Sequence, residues 1–341
     1  MDSSTSHFKR IPRQAVLLLA TALVAWAACA FYSVRLNPEV VHYREGDVIK
    51  RAWSAQMTRE HGAKIVVYGG SSCEFSIDGE RLLANYGEPV VNAGRHAGMG
   101  PPMLTEAALT DLHRGDTLIV ALEPGLLTLP FQEQPALAVQ FSVAVHHPEW
   151  VLHPVLGVGR VNAGQAAAAL RPGGYHVFTL LGKWLRGQPS YRYQLSDYHR
   201  SGWAVTAVRV PMTGGAGHGA HLSDDAKRLF GNLSRWCQTN GVRVAYSLPW
   251  SYCPYDELRG FQRANSEFVA EMMTYFPVLR DDALGTDTAA DDFADTGLHL
   301  TAAGAARRTD EFGREIQQWN IWTPETLARA TADLRDPVPG K

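Results

Sequence analysis

An apolar run in this chain of 341 residues ends on a serine: Ile65-Val66-Val67-Tyr68 leads into Gly69-Gly70-Ser71-Ser72-Cys73-Glu74-Phe75. A hydroxyl held at the carboxyl end of a strand is a candidate nucleophile, provided a base stands within reach and a third group orients that base. The far end of the chain offers both, in Phe293-Ala294-Asp295-Thr296-Gly297-Leu298-His299-Leu300-Thr301. Asp295 and His299 are close enough in sequence to meet within one turn. Asp295 can hold the imidazole tautomer while His299 turns its other nitrogen to Ser71. Such a set transfers acyl groups through an acyl-serine. Ser72 competes with Ser71 for the nucleophile's place, and Asp292 is the alternative orienter.

These residues need elements to position them. Ile65 to Tyr68 reads as a buried strand of a parallel sheet, because β-branched and aromatic residues follow one another without polar alternation. Gly69 and Gly70 allow a sharp turn and a close approach of backbone to ligand. Pro89 to Ala93 reads as a second strand, Met103 to His113 as a helix and Thr117 to Leu122 as a third strand. Strands alternating with helices imply a parallel sheet with right-handed crossovers. After residue 220 the pattern resumes. Ser223 caps a helix that closes at Asn240-Gly241, Val242 to Leu248 is a strand, Phe261 to Tyr275 a helix, and Pro277 to Leu279 a short strand. Thr301 caps a last helix reaching about Trp319. The expected class is α/β, a three-layer αβα arrangement around a parallel central sheet.

The organisation follows: 1–14 a cytoplasmic tail, 15–34 a transmembrane anchor, 35–62 a connector with some helical character, 63–325 the α/β domain, 326–341 a C-terminal tail. An insertion at about 131–220 is rich in His, Gly and aromatics, among them Trp150, Trp184, Tyr191, Tyr193, Tyr198 and Trp203. It either caps a cleft or forms a satellite with a small core of its own. Gly214 to Gly219 reads as a loop with no Lys-Ser/Thr after it, which excludes a phosphate loop.

Lys9, Arg10 and Arg13 precede the apolar stretch Ala15–Val34, and twenty helical residues span roughly 30 Å, the hydrocarbon thickness of a bilayer. The basic residues favour the cytoplasm, which puts the rest of the chain outside it, on the periplasmic side of the membrane. Ala28-Cys29-Ala30 offers a signal-peptide cleavage site instead, and Ala27-Ala28-Cys29 a lipoprotein site. With 32 basic and 34 acidic residues the chain has no basic excess of the kind that marks a nucleic-acid partner. Its 13 histidines are scattered without metal-ligand spacing, so no metal or cofactor is expected. Cys237 and Cys253 flank one strand and either pair or remain free thiols.

Taken together, these segments resemble the SGNH (GDSL-like) hydrolase superfamily. Gly69-Gly70-Ser71 stands where that family carries Gly-Asp-Ser, with Phe75, Ile77 and Asp78 following. Val91-Asn92-Ala93-Gly94-Arg95-His96-Ala97-Gly98 resembles its second block, and Asp295 to Gly304 its last. The resemblance implies that Ser71, Asp295 and His299 are catalytic and that the Gly98 N–H joins the Ser71 N–H in the oxyanion hole. Three departures stand out. Asp295 and His299 are one residue further apart than the family's Asp-x-x-His. The second-block glycine comes one position late. The third block, Ala121-Leu122-Glu123-Pro124-Gly125, has no asparagine. Anchored members of this kind resemble bacterial O-acyltransferases and esterases, which implies an acyl donor and a cell-surface polysaccharide as partners. The alternative is a catalytically weak SGNH-like domain that binds a polysaccharide or a partner in an envelope assembly.

Overall fold

The computed structural model describes residues 13–131, 136–172, 174–206, 208–210, 220–332 and 334. Most of the expected cytoplasmic tail, the Gly214–Gly219 loop and residues 335–341 of the expected C-terminal tail lie outside them.

Four parallel strands form the central sheet: β1 (Ile65–Gly69), β2 (Val90–Asn92), β3 (Thr117–Ala121) and β4 (Arg243–Tyr246), in the order β2-β1-β3-β4. Ile65 registers with Val90 on one side and Thr117 on the other, and Thr117 registers with Arg243. Past β4, single bridges from Tyr246 to Val278 and from Leu279 to Ile321 extend the sheet, so the expected strand at 277–279 is one bridge deep. A two-stranded parallel pair, β5 (Ser251–Tyr252) and β6 (Thr286–Asp287), lies apart.

Helices surround this sheet: α1 (Arg13–Phe31), α2 (Pro38–His61), α3 (Ser71–Glu74), α4 (Gly79–Tyr86), α5 (Pro101–Leu109), α6 (Pro124–Leu127), α7 (Ala136–Ala144), α8 (Glu149–Leu152), α9 (Ala163–Ala169), α10 (Gly174–Leu185), α11 (Asp224–Asn240), α12 (Leu258–Met272), α13 (Ala302–Gln318) and α14 (Pro324–Ala332). The alternation of strand side chains sorts them. Val66, Tyr68, Leu118, Val120 and Tyr246 share a core with α2, α5, α11 and α12. Ile65, Val67, Ile119 and Ala245 share another with Leu82 of α4 and Phe312 and Ile316 of α13. Burial of both strand faces is why β1 and β3 read as unbroken apolar runs. Ser223 and Thr301 cap α11 and α13 through the N–H groups of Ala226 and Gly304, and Gly241 ends α11 in the left-handed conformation.

Several boundaries differ from expectation. The connector is a full 24-residue helix, α2, capped by Asn37, and its Trp53 and Met57 are core residues. The C-terminal tail begins as a helix, since α14 buries Leu327 in the main core. Phe141 and Trp150, from α7 and α8, belong to that same core, so this part of the insertion is no satellite. Cys73, Cys237 and Cys253 are buried free thiols, and Cys29 is also unpaired. α1 and a π-helical turn at Tyr32–Leu36 form one apolar stretch, long enough to cross a membrane and exposed along α1.

Asn92 pins the strand ends together. Its buried amide donates to the carbonyls of Cys73 (2.9 Å) and Ile77 (2.8 Å), and its Oδ1 accepts from the Gly94 N–H (2.9 Å). Asn92→Ala leaves buried backbone acceptors unpaired, each costing about 1–3 kcal/mol. The expected outcome is a loss of about 3 kcal/mol, read as a lower urea midpoint at unchanged slope.

Candidate active site

In the order β2-β1-β3-β4 the chain places β2 on one side of β1 and β3 on the other. The crevice outside the carboxyl ends of β1 and β3 is therefore the topological switch point, where open α/β sheets bind ligands. Ser71 follows β1 and Glu123 follows β3, so both sit at this crevice.

Gly69 and Gly70 meet a packing demand there. A Cβ on Gly69 would strike the Ala121 carbonyl of β3, and one on Gly70 would strike the Glu123 carboxylate. Close approach between chain segments is one demand that these glycines meet. The buried Glu123 accepts from the N–H groups of Gly70 (3.2 Å) and Ser72 (3.1 Å), clasping the serine turn from below. Ser71 opens α3 and is partly exposed. The Ser72 hydroxyl is buried without a hydrogen-bond partner, so Ser71 is the more accessible of the two serines.

His299 and Asp295 form the expected pair. His299 Nδ1 lies 2.7 Å from Asp295 Oδ1, and both residues are buried. The extra residue between them is taken up by a turn in which the Thr296 hydroxyl accepts the N–H groups of Leu298 and His299. A bridge between Phe293 and Leu300 closes the loop. Asp292, the alternative orienter, pairs instead with Arg307. The His299 ring packs on Phe75, 4.5 Å between centroids. The Phe75 N–H bonds the Ser71 carbonyl, so the histidine lies against the serine's own turn. Among the described residues, no hydrogen bond joins Ser71 Oγ to His299, and both hydrogen-bond contacts of the His299 ring fall on Nδ1. Catalytic hydrogen bonds are often long before a substrate binds.

Two residues of the insertion complete the pair; from sequence Tyr193 stands out only as one of its aromatics, and Arg192 not at all. The Tyr193 hydroxyl donates to Asp295 Oδ2 (2.8 Å) and lies 3.3 Å from His299 Nδ1. Arg192 contacts the same Oδ2 at 3.0 Å. Burial, followed by Asp295 itself, drives the Tyr193 phenol far above its usual range, so it remains a donor. Behind them, the Tyr198 hydroxyl and the Lys50 ammonium bond the buried Glu74 at 2.7 and 3.3 Å, and His42 packs among Tyr43, Tyr191, Tyr193 and Tyr198.

Gly98, expected to serve the oxyanion hole, has its N–H engaged in this structure. Gly98 lies in a tight turn, Ala97–Met99, and its N–H is donated to His96 Nδ1 at 2.9 Å. Beside it, a cavity of about 270 Å³ is lined by Gly98, Pro101, Pro102, Leu126, Leu129 and Pro130. Among the described residues no group of three or more His, Cys, Asp or Glu side chains is placed to hold a metal ion. Compared with protein families, curated proteins and solved structures, the chain shows no significant match to any.

Burial alone would raise the Asp295 carboxyl, but the bonds from His299 and Tyr193 and the Arg192 charge outweigh it and hold it below its ordinary value of 3.8. A carboxyl depressed on folding stabilises the fold above its ordinary value, and that contribution fades as pH falls through the folded value. Asp295→Asn is therefore expected to be less stable than the parent at neutral pH, with the gap shrinking as pH drops below about 4. Denaturant midpoints of both proteins across pH 3 to 8 check this; a gap that widens in acid contradicts it.

Proposed function

We propose that the chain is a membrane-anchored acyl-ester enzyme of the serine type, with an SGNH-like three-layer domain on the periplasmic side of the cytoplasmic membrane. It transfers an acyl group to a cell-surface polysaccharide or removes one from it. The observation that carries this reading is the buried Asp295–His299 pair stacked on Phe75 of the serine turn, at the switch point of a parallel sheet.

In this mechanism His299 Nε2 takes the proton of Ser71 Oγ as that oxygen attacks the ester carbonyl of the donor. Asp295 holds the Nδ1–H and stabilises the imidazolium that forms. The tetrahedral intermediate collapses, the leaving alcohol receives the proton from His299, and the acyl group stays on Ser71. A sugar hydroxyl or water, deprotonated by His299, then attacks the acyl-serine, and Ser71 regains its proton. The Ser71 N–H, at the start of α3, is the oxyanion donor that Glu123 leaves over. For Gly98 to join it, the bond to His96 must open.

The second reading is a catalytically weak domain that binds polysaccharide or an envelope partner. Glu123 favours it, because a carboxylate acceptor stands where the family supplies an asparagine donor. The lack of one oxyanion donor costs roughly 10²–10³ in rate.

The full chain in detergent, incubated with p-nitrophenyl acetate, is expected to release p-nitrophenol and to carry an acetyl adduct on Ser71 by mass spectrometry. Ser71→Ala should abolish the adduct, and His299→Ala should lower kcat/KM roughly 10²–10⁴-fold. No release and no adduct from the parent would sink the enzyme reading and leave the binding one.

A further inference from the structure

Helix α10 presents an unpartnered apolar face. Phe178 is 75% exposed and Trp184 74%, and Val177, Leu181 and Leu185 are exposed with them. Positions 177, 178, 181, 184 and 185 follow the i, i+1, i+4, i+7, i+8 spacing of one helical face. Lys183 lies off that stripe and reaches the Ser190 carbonyl. Single exposed apolar residues are ordinary on a protein surface, but a contiguous stripe containing Phe and Trp marks an interaction site.

Two contacts fix where α9 and the first turn of α10 lie relative to the anchor. The Tyr32 hydroxyl, at the outer end of the apolar stretch, is 3.3 Å from His176 Nε2 in the first turn of α10. The Trp26 indole N–H donates to the Ala167 carbonyl of α9 at 2.9 Å. Trp26 and Tyr32 are separated by about 9 Å along a helix. With α1 in a bilayer and Tyr32 near its outer boundary, the start of α10 flanks the outermost turn of the span, and α9 meets it about 9 Å deeper, at Trp26. That is the depth at which interfacial amphipathic helices sit, about 5–10 Å into the headgroup boundary.

Charge agrees with this placement. Between Glu149 and Asp197 the sequence has no Asp or Glu, yet it carries Arg160, Arg171, Lys183 and Arg186, besides Arg192, whose charge is met by Asp295. The chain as a whole has a net charge of −2, so this is a local basic zone within a slightly acidic protein. Basic residues beside an apolar helical face suit an anionic lipid surface.

We propose that α10 is a second membrane contact, lying in the outer interface of the bilayer that α1 crosses, with Phe178, Leu181, Trp184 and Leu185 among the acyl chains. The inference rests on the reading of α1 as an anchor. It goes beyond that reading in making the bilayer a docking surface for the domain.

The test uses the full chain, with Cys29→Ala, in nanodiscs of phosphatidylcholine and phosphatidylglycerol, where both faces of the bilayer are accessible. An NBD fluorophore is attached at Leu181→Cys or Leu185→Cys, and at Tyr255→Cys as the exposed control. Residue 255 is 83% exposed. Dithionite is expected to reduce the label at 181 and at 185 roughly tenfold more slowly than at 255, as burial at the interface requires, and brominated lipid should quench both. Two labelled positions guard against one that disturbs the helix. Chain in the discs with 181 and 185 reduced as fast as 255 overturns this inference and leaves the anchor standing. Protection without quenching by brominated lipid means that protein covers the face, and overturns it too. Failure of the chain to enter the discs overturns anchor and inference together.

Discussion

Where β1 ends, the backbone leaves the ladder yet remains buried, and its polar groups must still find partners. Two side chains from the neighbouring strand ends meet much of that demand for residues 70–77, and the Thr309 hydroxyl takes the Ser76 carbonyl. Asn92 takes the carbonyls of Cys73 and Ile77, and Glu123 takes the N–H groups of Gly70 and Ser72. Everything proposed for Ser71 depends on this. The serine is held because the groups around it are satisfied by the ends of β2 and β3, the two strands that flank β1. Phe75 is then presented to His299, and the loop from 293 to 300 acquires a surface to pack on.

The same need for satisfaction ties the insertion to the site. Asp295 is a buried carboxylate, and its second oxygen is met by Tyr193 and Arg192. The segment that carries them is fastened by Tyr191 to the Tyr43 hydroxyl and by Tyr198 to Glu74. The aromatics between 191 and 198 therefore act as a wall of the site, reaching back to α2 through His42 and Tyr43. Replacing one of them disturbs a set of buried polar groups that satisfy one another, which raises the stakes of each member.

Local patterns carried the sequence reading well. The unbroken apolar runs of β1 and β3, the Ser223 and Thr301 caps and the Asn240-Gly241 ending all depend on neighbours a few residues away, and all appear. Asp295 and His299, four apart, were also legible as a pair. The groups that complete the site were not. Tyr193 meets Asp295 across 102 residues, and no local spacing encodes that meeting. Glu123 was visible only as a missing asparagine; its grip on the serine turn depends on strand order. The capture of the Gly98 N–H by His96, two residues away, is a local side-chain competition that a family pattern does not register. α2 was underestimated because its stripe is mixed with buried His42, Asp47 and Lys50, whose partners come from elsewhere in the chain.

The junction between the apolar stretch and α2 leaves the domain no slack. The π-helical turn ends at Leu36, the Asn37 N–H bonds the Tyr32 carbonyl, and the Asn37 side chain starts α2 one residue later. With α1 in a bilayer, this is a stalk without a leash. On the proposed reading, the crevice of Ser71 would work at one fixed height above the lipid, and a polymer acted on there would have to be threaded past that height, as when newly emerged from the membrane.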